Sequence, residues 1–274
     1  MDTKRNQLII GSTGKTGSRV MAQLQALGYQ PLGASRRGDV HFDWNIPETW
    51  GPALTNIKSV YITYYPDLAI PKAPEDISRF CALAKIRGVE HITLLSGRGE
   101  PAAQVCENIV KESGMHWTIV RAAWFNQNFS EGLFRQFILN GHIALPVDDT
   151  PEPFVDIDDI AQVVVASLIQ EGHHGQLYEV TGPELLSFRQ LAQYFSELLN
   201  KEVVFDSISL PAFQANLARD KVELGAIEAL TYLFTEVLDG RNEFLTDGVQ
   251  RALGRPPKSF KQYILDNRQF FGDS

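Results

Sequence analysis

The sequence is poor in the features that mark several large classes of protein. It has only two cysteines, Cys81 and Cys106, too few for the disulfide framework of a small secreted scaffold. No apolar run approaches the roughly 20 residues that cross a bilayer as a helix, so no membrane partner is expected. Basic residues are in deficit, 25 Lys and Arg against 33 Asp and Glu, for a net charge of −8. That balance argues against a nucleic-acid partner, whose surface would need clustered Lys and Arg. Repeats, low-complexity tracts and linkers are also missing. Residues 1–6 lead straight toward an apolar segment, which leaves no room for a secretory leader. A reducing, cytoplasmic compartment is the expectation.

What remains is ordinary globular material, 44% hydrophobic and 21% charged over 274 residues, enough for one large domain or a domain with a smaller lobe. Short runs rich in β-branched and aromatic residues recur in the first half: "QLIIG", "QPLGAS", "VHFDW", "SVYITYY", "HITLLS" and "HWTIVRAAWF". Amphipathic stretches such as "SRVMAQLQALG", "EDISRFCALAKIRG" and "PAAQVCENIVKESG" separate most of them. Strands alternating with helices predict βαβ units, hence an α/β protein with a doubly wound parallel sheet.

After about residue 126 the rhythm changes. "DIDDIAQVVVASLIQEG" reads as a helix capped by Asp156 or Asp158, "QLYEVTGP" as a strand that rejoins the sheet, and Ser187 as the cap of "FRQLAQYFSELLNK". We expect one Rossmann-type domain over residues 1–274. Residues 1–126 would form its dinucleotide-binding core, and residues 127–274 a small, mostly helical substrate lobe with strands returning to the sheet.

The segment "LIIGSTGKTGSRV", residues 8–20, joins the first strand to the first helix. A triphosphate loop would need Gly-x-x-x-x-Gly-Lys-Ser/Thr, with its first glycine at position 9. Ile9 stands there, inside the strand, which disfavours ATP or GTP. Gly11, Gly14 and Gly17 instead form Gly-x-x-Gly-x-x-Gly, the spacing of a dinucleotide turn. Glycines there permit a tight turn and close approach of a pyrophosphate, while the helix N-terminus offers free N–H groups and partial positive charge. Gly11, Ser12, Thr13, Gly14, Lys15, Thr16 and Gly17 are therefore candidate cofactor contacts. The competing reading is a glycine-rich turn without a ligand.

The end of the second strand distinguishes the two nicotinamide cofactors. NAD-specific folds place an acidic residue there for the ribose 2′-hydroxyl. Here "GASRRGD" puts Ser35, Arg36 and Arg37 at that place, and guanidinium groups suit a 2′-phosphate. NADPH is expected, with NAD as the lesser option because Asp39 is near. Asp43, Tyr64 and Ser96, just past or at later strand ends, join the cofactor candidates. Tyr64, Tyr65 and Ser96 are also candidates for the substrate pocket, against the alternative of packing or capping. No metal is expected: His173 and His174 lack a third ligand nearby and read as a solvated turn.

Several motifs together resemble a known family. The glycine turn, "ASRR", "FDW", "TIVRAAWFNQNFSE", "PFVDIDDIA", "TGPELLSFRQLA" and "GRPPKSF" resemble the NmrA-like branch of the atypical short-chain dehydrogenases. Within it they are most similar to the ergot-alkaloid reductases of festuclavine or agroclavine synthase type, and also to NADPH-dependent quinone and triphenylmethane-dye reductases. The resemblance spans nearly the whole chain and implies a Rossmann domain, NADPH binding and hydride transfer to a small molecule.

One departure from the wider superfamily bears on mechanism. Standard short-chain dehydrogenases carry Tyr-x-x-x-Lys on the helix after the fifth strand. This chain has Gln104 and Asn108 at the matching spacing, with Cys106 between them. Hydride transfer without that dyad suits an acceptor already electron-poor, such as an iminium ion, a quinone or a related conjugated molecule. Trp124, Phe125, Asn128 and Phe129 are candidates for the wall of its pocket, against the alternative of core packing. The second functional reading is a non-catalytic NADP(H)-binding sensor of the NmrA type with a protein partner. Oligomeric state is not legible.

Overall fold

The computed structural model describes residues 5–272; residues 1–4, on which part of the expectation about a leader rests, lie outside them. In chain order the elements are β1 (Gln7–Ile10), α1 (Lys15–Ala26), β2 (Leu32–Ser35), β3 (Val40–His41), α2 (Trp50–Ala53), β4 (Ser59–Ile62), α3 (Ala73–Ile86), β5 (His91–Gly97), α4 (Pro101–Glu112) and β6 (His116–Ala122). They continue with α5 (Asn128–Glu131), α6 (Arg135–Asn140), β7 (His142–Leu145), α7 (Ile157–Ile169), β8 (Gln176–Val180), α8 (Phe188–Leu199), β9 (Val204–Ser207), α9 (Leu210–Arg219), α10 (Leu224–Tyr232), α11 (Gly248–Leu253) and α12 (Phe260–Asp266).

Two compact units are formed. The first comprises Met1–Ala122, Ile157–Val180 and Asp247–Pro256. Its seven strands run in the order β3-β2-β1-β4-β5-β6-β8, and every pairing is parallel. β8, from "QLYEV", returns beside β6 with Val120 opposite Tyr178. Residues alternate across the sheet as the period of a strand requires. Leu8, Ile10, Val60 and Ile62 enter a cluster with Phe80 and Ala84 of α3 and Ala103 and Val110 of α4. On the opposite face, the Tyr61 hydroxyl donates to Thr16 Oγ1 of α1 at 3.0 Å, and Thr93 meets Ser167 of α7 at 2.8 Å. Both faces are thus covered, which is why these strands read as nearly continuous apolar runs. The fold is of the Rossmann α/β type.

One strand is shorter than its sequence suggests. In "VHFDW" only Val40 and His41 pair in the sheet. Phe42 and Trp44 leave it to pack edge-on at 5.0 Å, both against Phe80 and Trp50. Burying these rings outweighs extending an edge strand, since each removes a large apolar area from water.

The second unit comprises Ala123–Asp156, Thr181–Thr246 and Pro257–Ser274. It holds a two-stranded parallel sheet of β7 and β9, with Ile143 opposite Phe205. Its core is aromatic, with Phe129, Phe154, Phe188, Phe195 and Phe260 among the buried rings. Ser187 caps α8 in a reciprocal capping box: its hydroxyl accepts from the Gln190 N–H at 3.3 Å, and Gln190 Oε1 accepts from the Ser187 N–H at 2.8 Å.

Candidate functional site

The strand order reverses direction between β1 and β4, and ligands of such sheets bind beyond the carboxyl ends of the strands at that point. The first unit carries a cavity of about 630 Å³ there. Gly11, Thr13, Gly14, Ser35, Arg36, Arg37, Asp43, Tyr64 and Tyr65 line it, joined by Ile10, Phe42, Trp44, Asn45 and Thr63.

The glycine turn forms one wall. Gly11 has φ +77°, and a Cβ on it would overlap Thr63 Oγ1. Gly17 lies in the first turn of α1, where a Cβ would run into the carbonyl of Gly11. Neither position has room for a side chain, so the turn packs closely on Thr63 and on the start of its own helix. Gly14 precedes the first residue of α1 with no side-chain cap and no acidic residue in the first turn. The positive end of a 12-residue helix is left facing the turn. Thr16 is buried and accepts the Tyr61 hydroxyl at 3.0 Å, so its side chain joins helix to sheet and does not line the cavity. Ser12 is also buried, and Lys15 is half-buried beside the turn.

The second wall is the turn after β2. Thr13 Oγ1 donates to Ser35 Oγ at 3.2 Å, and Ser35 Oγ also accepts from the Arg37 N–H at 3.1 Å. These bonds tie the glycine turn to the arginine turn. The Arg36 guanidinium lies over the Tyr65 ring, 4.8 Å from its centroid. Asp39, the carboxylate that could have served a ribose hydroxyl, instead accepts the Gly33 N–H at 3.2 Å and does not line the cavity. Asp43 does line it, with Oδ1 accepting the Asn45 N–H at 2.9 Å.

The third wall follows β4. The Trp44 indole N–H donates to the Thr63 carbonyl at 3.1 Å. The Tyr64 hydroxyl donates to Asp76 Oδ2 at 2.7 Å, and Lys72 holds the same oxygen at 2.5 Å. Burial, with the bond and charge of Asp76 added, pushes the Tyr64 phenol well above its ordinary value. Tyr64 therefore stays protonated and acts as a fixed donor to Asp76.

The other residues singled out from sequence fall elsewhere. Ser96 is buried, with its hydroxyl donating to Glu107 Oε1 at 2.8 Å. Glu107 is fully buried and forms a bidentate pair with Arg121 at 2.9 and 2.6 Å; Arg121 also reaches Glu179 at 2.8 Å. On α4, Asn108 is exposed, Gln104 is half-buried and Cys106 is fully buried. The Cys106 thiol donates to the Leu68 carbonyl at 3.8 Å, and burial, with Glu107 and Asp67 nearby, pushes it up to about 11. It is a packed thiol and no nucleophile at neutral pH. In the second unit, Phe129 lies in the ring cluster, and half-buried Trp124 stacks on Phe134 at 6.3 Å and meets Phe234 at 5.5 Å. Phe125 and Asn128 are half-buried, and the Phe125 backbone bridges to Val155.

His173 is also not in a solvated turn. It is buried, with Nδ1 2.9 Å from the Tyr178 hydroxyl, because the turn packs onto β8; His174 alone is exposed. Among the described residues no group of three or more His, Cys, Asp or Glu is placed to hold a metal.

Comparison with known proteins agrees with this geometry. A model of the NmrA-like family matches residues 103–255. The chain belongs to the NmrA-like family. It is 30% identical to an uncharacterized oxidoreductase, YesF, of Bacillus subtilis, covering 98% of this chain and 97% of that one. It is 31% identical to festuclavine synthase II of Penicillium roqueforti, over 93% and 95% of the two chains. Among solved structures, triphenylmethane reductase of Citrobacter sp. complexed with NADP(H) superposes with a TM-score of 0.83 at 20% identity, over 96% and 99%. Among the described residues no helix is long and apolar enough to cross a membrane.

Proposed function

We propose that this chain is an NAD(P)H-dependent oxidoreductase, with NADPH as the preferred cofactor and an electron-poor small molecule as hydride acceptor. An iminium ion, a quinone or a related conjugated acceptor fits. The reading rests chiefly on the arrangement after β2: two arginines line the cavity while the nearby carboxylate, Asp39, is taken up by the Gly33 N–H. A 2′-phosphate would meet two guanidinium groups there, and a bare 2′-hydroxyl would find no free carboxylate from Asp39.

The glycine turn would receive the pyrophosphate on the N–H groups opening α1, and Phe42, Trp44 and Tyr64 would border the adenine end. The bound cofactor supplies hydride from its dihydronicotinamide. The protein contributes orientation and exclusion of water, because α4 carries Gln104 and Asn108 where a Tyr and Lys would activate a carbonyl. An acceptor that is already electron-poor suits such a site.

Arg36→Ala combined with Arg37→Ala tests the cofactor assignment. Loss of two charge-assisted contacts, each about 1.5–3 kcal/mol, should raise the KM for NADPH about 100-fold or more and leave NADH nearly unchanged. Equal loss for both cofactors would overturn the 2′-phosphate assignment. A protein that binds NADPH tightly yet oxidises it with no iminium, quinone or dye acceptor would be a nucleotide sensor instead.

A further inference from the structure

The wall after β4 is built unlike the other two. The glycine and arginine turns are tied to each other by hydroxyl and backbone bonds, whereas Tyr64 is tied through the far end of its side chain. Tyr64 follows β4 outside any regular element and lines the cavity together with Trp44. The two rings lie 4.9 Å apart, tilted by 39°. A side chain on such a segment keeps its rotamer freedom unless something holds it, and holding it costs entropy. Here the holder is Asp76, in the first turn of α3 and 1% exposed, whose Oδ2 accepts the Tyr64 hydroxyl at 2.7 Å.

Lys72 completes the arrangement. Its ammonium, one turn before Asp76, pairs with the same Oδ2 at 2.5 Å and reaches the Trp44 carbonyl at 3.5 Å. The Trp44 indole is fixed separately, donating to the Thr63 carbonyl at 3.1 Å. Both ring residues are thus bound to one ion pair. That pair is not arranged for stability alone. Asp76 Oδ1 is buried with no partner among the described residues, and an unsatisfied buried acceptor carries a cost that an exposed i,i+4 pair does not. A carboxylate kept at that cost, with its bonded oxygen turned to a cavity residue, is placed for position.

We propose that Asp76, backed by Lys72, is the positioning residue of the adenine site: it holds Tyr64 against Trp44, so that the aromatic wall is formed before the cofactor arrives. The proposal rests on the cofactor reading above, in which these rings border the adenine. A base gains affinity by stacking on an aromatic side chain, and a ring already fixed by the fold need not be ordered at the moment of binding. Adenine is common to NADPH and NADH. This device therefore acts on both cofactors alike, whereas the arginines after β2 act on the 2′-phosphate of one.

Calorimetric titration with NADP⁺, NAD⁺ and adenosine 2′,5′-bisphosphate, which carries adenine but no nicotinamide, tests the idea without any hydride acceptor. Tyr64→Phe keeps the ring and removes its bond to Asp76. It should weaken all three ligands by about fivefold, what one hydrogen bond is worth. Asp76→Asn, which loses the pair with Lys72, should weaken the same three ligands. The double variant should be no worse than the poorer single variant, because both changes act through one ring. A merely structural Asp76 would lower the melting temperature and leave the three dissociation constants unchanged, which overturns the proposal. Wild-type affinities in Tyr64→Phe, additive losses in the double variant, or weakening that spares NAD⁺ would overturn it as well. A wild type that binds none of the three overturns the cofactor reading instead, a distinguishable result.

Discussion

The two edges of the parallel sheet bear titratable groups of opposite character. At the carboxyl edge, acidic side chains and guanidiniums follow the strands: Arg36 and Arg37 after β2, Asp67 after β4, Glu100 after β5, and Arg121 within β6 bound to Glu107 of α4. At the amino edge, four histidines gather where β5, β6 and β8 begin. His91 Nε2 lies 3.0 Å from Thr118 Oγ1, His173 meets Tyr178, and His174 accepts the Trp117 N–H at 3.3 Å while stacking on His116 at 4.0 Å. The histidines meet hydroxyls, a backbone N–H and one another. The carboxyl edge differs in that its loops part at β1 and β4, leaving charged side chains around a cavity. Strand ends with the same geometry become a binding surface where the winding reverses, and packed structure where it does not.

Ion pairs break this comparison most forcefully. Glu107 is fully buried against Arg121, whereas Lys58 and Glu90, beside the amino ends of β4 and β5, pair at 2.6 Å in an exposed position. Glu107→Gln leaves part of a half-buried guanidinium charge uncompensated and should cost about 2–3 kcal/mol, below the roughly 3–5 kcal/mol of a fully buried pair. Glu90→Gln should cost less than about 1 kcal/mol. Urea denaturation of the two variants measures both. Similar costs would mean that Glu179 alone satisfies Arg121.

What could be read in advance followed from the range of each signal. The glycine turn, the arginine turn and the Ser187 cap are local, each set by residues within a few positions. The returning strand β8 was legible because its β-branched and aromatic composition survives without context. The ion pairs around Arg121 were not legible: Glu107 is 14 residues from Arg121, and Arg121 is 58 from Glu179, so only the fold joins them. The same distance hid Thr63 beside Gly11. Ser96 sits at a strand end, as a contact residue would, yet Glu107 claims its hydroxyl. The aromatic run after β6 was ambiguous for another reason: a ring that lines a pocket and a ring that fills a core have the same composition.

The amino edge yields the next effect, in pH dependence. Burial, with His116, His174 and His173 adding to it, lowers the His91 imidazole to about 4, while an unfolded histidine takes its proton near 6.5. Between those values the unfolded chain binds more protons than the folded one. Stability from this group is therefore intact above pH 6.5 and is lost as pH falls toward 4. His91→Gln should flatten the decline of the urea midpoint between pH 6.5 and 4 by up to one proton. An unchanged slope would place the acid sensitivity on other groups.

The smallest effect is expected where the cavity is most open. Tyr65 is 63% exposed, yet the Arg36 guanidinium lies over its ring. A cation–π contact at an exposed site contributes about 0.5–1 kcal/mol. If the ring serves to hold Arg36 toward the 2′-phosphate, Tyr65→Ala should raise the KM for NADPH about two- to fivefold and leave NADH unaffected. Tyr65→Phe, which keeps the ring and loses only the hydroxyl, should behave as the wild type. Equal weakening of both cofactors in Tyr65→Ala would mean that the ring bears on a part they share, such as the adenine, and that Arg36 needs no help to find its place.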